Sequence, residues 1–285
     1  MPEFLMKPRN DYAFKELMSI ENIRIGFLSA ILKLNPKDIK ETRILNTDLK
    51  KMFPDDKLGI LDVRLSLNDD TEIDIEVQIS EVKVWAERSL FYLAKMYTEQ
   101  IRPGEKYDVL KKCVSISILD FDLFKGETEF YSRFHIREDY RHLLFTDKME
   151  FHVIELPKLP AELKDSDDIL LWAKFINAEK KEEFDMLSNK NKYIDNAYDH
   201  LKIISQDKQK RMEYEASEKA IRDHNQMMWE SREAGMEEGI NIGKKEQAIY
   251  SAIELIKSGV STNIIAKSTG LSYSEIEELR HNHEL

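Results

Sequence analysis

Two runs in the first third of the chain alternate polar and apolar residues with the period of a half-buried strand. They are Gly59-Ile60-Leu61-Asp62-Val63-Arg64-Leu65-Ser66-Leu67 and Thr71-Glu72-Ile73-Asp74-Ile75-Glu76-Val77-Gln78-Ile79. Asn68-Asp69-Asp70 between them supplies turn-forming side chains, so the pair predicts a β-hairpin. The apolar residues carry odd numbers on both strands, which demands an odd-length loop, because a one-residue slip would turn one strand over. Leu67 then opposes Thr71, Arg64 opposes Asp74, and Asp62 opposes Glu76. Opposed side chains have Cβ atoms about 5 Å apart. Two carboxylates that close repel each other unless a cation lies between them, and a divalent ion with oxygen ligands meets that need. The same pattern also describes a plain hairpin with a solvated polar side on which Arg64 neutralises Asp74.

Around the hairpin the pattern changes period. Residues 10–34 space apolar side chains by three and four, from Phe14 and Leu17 through Ile25, Leu28, Leu32 and Leu34, which predicts one amphipathic helix or a pair ended by Asn35-Pro36. A short strand is expected over 42–45, followed by a loop through Phe53-Pro54-Asp55-Asp56. Residues 81–100 read as a helix stopped before Pro103-Gly104. Residues 112–120 alternate tightly and are mostly apolar, as in a central strand, and 129–137 and 151–156 read as two more. Strands flanked by helices predict a mixed sheet with helices on its faces.

Pro157 and Pro160 mark the expected end of this first domain, residues 1–160. Residues 161–245 read as a helical extension and 246–285 as a small helical hairpin. From about 206 to 258 there is no proline. Gly235, Gly239 and Gly243 recur there on one helix face, each costing about 1 kcal/mol relative to alanine. Close approach of a second backbone would offset that cost, so a homodimer through the helical region is expected. Ile264-Ile265-Ala266-Lys267-Ser268-Thr269-Gly270-Leu271-Ser272 is similar to a resolvase-type helix-turn-helix. The helix after it offers Ser274, Glu275, Glu277 and Glu278, a poor match to phosphates, so a packing element is preferred over a DNA reader.

Composition narrows the function classes. The 285 residues are 42% apolar and 34% charged, with net charge −11, which counts against broad nonspecific nucleic-acid binding. Residues 1–150 hold 24 Lys and Arg against 28 Asp and Glu, so any DNA surface must be local, with Lys7, Arg9, Lys15, Arg88 and Lys95 as candidates. The single Cys113 excludes an intramolecular disulfide framework and a cysteine-rich zinc site. No apolar run reaches membrane-spanning length or opens the chain as a secretory signal, so a cytoplasmic protein is expected. His135, His142 and His152 lack metal-ligand spacing, and His281 and His283 read as a solvated tail. There is no phosphate-binding glycine loop.

An Asp on one strand followed by Glu-x-Lys, or a variant, on the next is the core pattern of the PD-(D/E)xK nucleases. Here it reads Asp62, then Glu76-Val77-Gln78. Asn46-Thr47-Asp48-Leu49, Phe53, Asp55-Asp56-Lys57-Leu58-Gly59 and Leu61-Asp62-Val63-Arg64 extend the match. So do Asn10-Asp11-Tyr12-Ala13-Phe14-Lys15, the helical set Arg88, Tyr92, Lys95 and Tyr97, and the strand Ser115 to Phe121. Most of residues 7–160 thus resembles the Rpn branch, the recombination-promoting nucleases or PD-(D/E)xK transposases. The resemblance implies a restriction-endonuclease-like α/β fold, a mixed β-sheet flanked by helices and followed by a long helical C-terminal region.

It also implies a metal-dependent DNA endonuclease linked to recombination, mobile elements or defence. Asp62 and Glu76 would hold Mg²⁺ (or Mn²⁺ or Ca²⁺), with the Val77 carbonyl as a third ligand. Gln78 stands where the motif has Lys; its amide can orient a water but carries no charge. Lys95 or Lys15 would supply the missing cation, and Lys15, Arg64, Arg88 and Tyr92 would contact DNA. The alternative is a catalytically silent oligomeric interaction protein whose working part is the helical tail.

Overall fold

The computed structural model describes residues 4–49, 59–68, 70–163 and 167–282. Phe53, Asp55, Asp56, Lys57, Leu58, Asp69 and His283, which figure in the sequence reading, lie outside them. The chain forms two compact units, residues 1–219 and 220–285.

The first unit opens with helices α1 (Asp11–Ser19) and α2 (Glu21–Leu32). Asn10 caps α1 by accepting from the Tyr12 amide. Strands β1 (Thr42–Ile44), β2 (Asp48–Leu49), β3 (Gly59–Ile60), β4 (Val63–Leu67) and β5 (Thr71–Gln78) follow. Then come α3 (Trp85–Thr98), β6 (Lys112–Leu119), β7 (Tyr131–Arg137) and β8 (Leu144–Glu155). Helices α4 (Asp168–Asn177), α5 (Lys181–Ser188) and α6 (Lys192–Gln206) lead into α7 (Lys208–Lys257). Six strands make one mixed sheet in the order β1-β4-β5-β6-β8-β7, and β2 and β3 form a separate ribbon.

The hairpin register is the one the parity argument requires: Leu67 opposes Thr71 and Arg64 opposes Asp74. The ladder ends at Val63 and Ile75, however, because the chain bends at Asp62. Leu61 therefore leaves the odd-numbered face. It packs with Leu93, Met96 and Cys113 on the other side of the sheet.

A second departure concerns the even-numbered face, read as half-exposed. Both Asp74 and Glu76 are only 4% exposed. β5 and β6 are parallel, and a parallel pair needs a crossover, here α3. α3 lies over the face that carries Asp74, Glu76, Ser115 and Ser117, where the Trp85 indole N–H donates to the Ser117 hydroxyl at 3.2 Å. β8 starts at Leu144, earlier than expected, because its first residues pair only with the edge strand β7 and join β6 from Met149 onward.

The opposite face holds the main core: Val63, Leu65, Ile73, Ile75, Val114, Ile116 and Ile118 under α1, α2 and α4 to α6. Trp172 of α4 packs edge-on against Phe27 of α2 and against Phe175. The boundary expected at residue 160 is thus not a boundary between compact units, since the apolar faces of α4 to α6 complete this core. Buried Arg24 ties the α1–α2 junction to β1, donating to the Met18 and Ser19 carbonyls and to Thr42. Where the core face reaches β7 and β8, buried Glu150 gathers Lys112, Arg133, His135 and His152. Burial works against ionisation of Glu150, but these donors hold its carboxyl well below the usual range.

In the second unit the rest of α7 packs with α8 (Thr262–Thr269) and α9 (Tyr273–Asn282) around Ala252, Ile256, Ile265, Leu271 and Ile276. Gly270 ends α8 at φ 74°, the left-handed conformation glycine adopts without strain. Glu275 caps α9 through Ser272, while Glu277 and Glu278 face solvent. Among the described residues no helix is long and apolar enough to cross a membrane.

Gly26 is where α2 and α6 approach most tightly: a Cβ there would lie 2.3 Å from the Cβ of Tyr193. Gly26→Ala should therefore destabilise the fold by about 1–3 kcal/mol, despite the better helix propensity of alanine. Urea unfolding should give a lower midpoint at an unchanged slope.

Candidate functional site

The candidate residues gather where β4 begins and β5 ends. Asp62 sits at the bend before β4, and its Oδ2 accepts the Val77 amide at 3.2 Å. A side-chain carboxylate thus takes the place of the next rung of the hairpin, and the Val77 N–H is committed to it. Lys15 reaches from α1 to within 3.4 Å of Asp62 Oδ1 and lies 3.7 Å from Asp11. On β5, Glu76 faces α3, where Arg88 Nη2 lies 3.5 Å from Glu76 Oε1. The Arg88 guanidinium also stands over the rings of Trp85 and Tyr92, at 5.6 and 5.0 Å. Gln78 closes the strand, its amide N–H donating to the Ser80 carbonyl at 3.0 Å.

Asp74 belongs to the same cluster and was not singled out from the sequence, where it read as a solvated partner of Arg64. It is buried, and its Oδ1 has no hydrogen-bond partner. The available signal was its parity with Glu76; what concealed it was the crossover that covers this face. Burial, then the charges of Glu76 and Asp62, push the Asp74 carboxyl well above its usual range. Burial likewise pushes Glu76 up to about 7, against the pull of Arg88 and with Asp62 adding to the rise. When ionised, the three carboxylates would carry more negative charge than Lys15 and Arg88 balance.

Other candidates are placed differently. Arg64 turns to Glu72 at 2.8 Å and Glu99 at 3.4 Å instead of pairing with Asp74, and only 11% of its side chain is exposed. Lys95 is buried on the sheet side of α3, whereas Lys15 keeps 43% of its side chain exposed. Lys7 and Arg9 both pair with Glu179, and Arg9 also reaches Asp120 at 3.5 Å. Lys15 and Arg88 thus lie directly against carboxylates of the site.

Among the described residues, no three His, Cys, Asp or Glu side chains form a ready metal cage. The donor set still fits a hard divalent cation. Mg²⁺ is commonly held by one or two carboxylates, completing its shell with water and substrate phosphate. Asp62 and Glu76 could provide such a pair, and Asp74, whose Oδ1 has no hydrogen-bond partner, lies beside them.

The pH dependence of the metal-free protein follows from Glu76. Its folded carboxyl keeps a proton up to about pH 7, whereas its ordinary value is 4.5. Its contribution to stability therefore declines as pH rises through that window. Relative to wild type, Glu76→Gln should gain stability between about pH 4.5 and 7 and level off above, read as the difference in urea midpoints across the range.

A family model described as PD-(D/E)XK nuclease family transposase matches residues 8–231. Comparison with curated proteins and with solved structures returns no significant match.

Proposed function

The chain belongs to the PD-(D/E)XK nuclease family transposases, and from that membership we propose that it is a metal-dependent DNA endonuclease acting in recombination or in the movement of mobile elements. The observation that carries this reading is the under-neutralised set Asp62, Asp74 and Glu76, with Lys15 and Arg88 directed at it. Asp62 and Glu76 hold the cation. A bound Mg²⁺ or Mn²⁺ supplies Lewis-acid stabilisation of phosphate charge and an activated water. Gln78 orients water through its amide. Lys15 supplies the positive charge that the motif lysine would bring, because its ammonium is beside Asp62 and open to solvent, while Lys95 is buried. Arg88 and Tyr92 address the phosphate backbone. With so few local cations on an acidic chain, DNA affinity should show a shallow salt dependence.

The second unit supports self-association. At about 100° per residue, Met228, Trp229, Gly235, Met236, Gly239, Ile242 and Gly243 fall on one side of α7. All are exposed, and a Cβ on any of the three glycines would meet nothing within 4 Å. We assign this side to a homodimer contact, in which the glycines let two helices approach and the apolar side chains pack beside them.

Two experiments test these readings. Purified protein should cleave duplex DNA with Mg²⁺ or Mn²⁺, and Asp62→Ala and Glu76→Ala should each lose at least about a hundredfold in rate. Equal cleavage in excess chelator would overturn the metal reading, and cleavage unaffected by Asp62→Ala would favour a silent interaction protein. In sedimentation, wild type should run as a dimer and the Trp229→Glu, Met236→Glu double variant as a monomer. A monomeric wild type at all concentrations would remove the helical contact.

A further inference from the structure

Glu76, one of the two proposed metal ligands, already has a cation against it, and the way that cation is held is informative. The contact between Arg88 Nη2 and Glu76 Oε1 is long, 3.5 Å. Arg–carboxylate pairs built for strength are short and bidentate. The guanidinium is held mainly by the faces of Trp85 and Tyr92. Trp85 is itself fixed, being 1% exposed and hydrogen-bonded to Ser117. Arg88 Nε is buried and has no hydrogen-bond partner. An unmet buried donor on a charged group is costly, and a newly arrived acceptor would relieve that cost. The side chain is nonetheless 39% exposed, so it can turn toward solvent without unpacking α3. Lys15 is held differently, between the two carboxylates Asp62 and Asp11, so it keeps a partner when Asp62 is engaged elsewhere.

We propose that Arg88 is an exchangeable counter-ion of the site: it neutralises Glu76 while no metal is bound, and it passes to a phosphate oxygen of DNA when a divalent cation takes that carboxylate. The inference rests on Glu76 as a metal ligand. A guanidinium and a divalent cation repel each other across one carboxylate, so metal entry weakens the Arg88–Glu76 contact. The rings keep the released guanidinium at the site. A phosphodiester drawn to the metal brings the acceptor that Arg88 then engages. Metal and DNA each favour the binding of the other through this one side chain, as linkage requires.

Calorimetric titration with Mg²⁺ at pH 8.5, without DNA, reads the first half of the exchange in wild type, Arg88→Met, Arg88→Gln and Arg88→Lys. That pH lies above the Glu76 value of about 7. The Met and Gln variants should bind Mg²⁺ roughly fivefold tighter than wild type, and the Lys variant should match wild type. In fluorescence anisotropy with a labelled duplex, Ca²⁺ should tighten DNA binding to wild type severalfold more than to Arg88→Met, which keeps only the direct attraction of phosphate to the metal. Mg²⁺ binding that disappears in Glu76→Gln but is equal or weaker in a folded Arg88→Met or Arg88→Gln would overturn the exchange and leave the metal reading standing. Absence of Mg²⁺ binding in wild type would overturn both.

Discussion

Parallel pairing of β5 with β6 is the constraint on which the rest of the site depends. Two adjacent parallel strands cannot be joined by a turn, so the chain must cross the sheet, and α3 is that crossing. Its path covers the face of β5 that carries Asp74 and Glu76, takes them out of water, and sets Arg88, Tyr92 and Trp85 over them. Carboxyls that would ionise freely on a solvated hairpin are held toward their neutral form in a low-dielectric setting, where an added cation would most favour ionisation. The antiparallel β4–β5 pair contributes the other half. Its ladder stops one rung early, and Asp62 uses that rung to fix its carboxylate on the Val77 amide.

The helices on the other face do more than complete the core. Lys15 is placed by α1, and α1 is gripped by the first turns of α7. Lys210 pairs with Glu16, Glu213 accepts from the Tyr12 hydroxyl, and the Ser217 hydroxyl donates to Asp11 at 2.6 Å. Asp11 is in turn the second partner of Lys15. A continuous set of polar contacts thus runs from α7 through α1 to Asp62. The apolar contacts of Phe27, Trp172 and Phe175 hold the same layer rigid from behind. That packing accounts for the family match beyond the strands as far as residue 219, since α4 to α6 and the start of α7 are part of the unit that holds the site.

The charge distribution is resolved locally. The chain is acidic overall, yet Arg64 is absorbed by Glu72 and Glu99, and Lys7 and Arg9 by Glu179. Lys15 and Arg88, among the described residues, face the carboxylates of the site. The Glu150 cluster, by contrast, shows a buried carboxylate surrounded by the cations Lys112 and Arg133 and by His152. Its carboxyl is held low, whereas those of Asp74 and Glu76 are raised. Two buried acidic groups in one sheet therefore behave oppositely, because one has its donors within the fold and the other does not.

Local sequence alone determined the strand register, because side-chain period two forbids a one-residue slip and the three-residue turn 68–70 selects among the pairings that remain. α3, the central strand β6 and the long α7 were legible from periodicity as well, whereas Asp62, Glu76 and Gln78 stood out as candidates through the family resemblance. Burial of Asp74, the turning of Leu61 to the second cluster, the diversion of Arg64 to Glu72 and Glu99, and the placement of Lys15 beside Asp62 were decided only by the tertiary structure. Each depends on what a neighbour distant in sequence places over the sheet. A periodicity identifies two faces of a strand, but whether the polar face meets water or a helix is settled by the connection between strands.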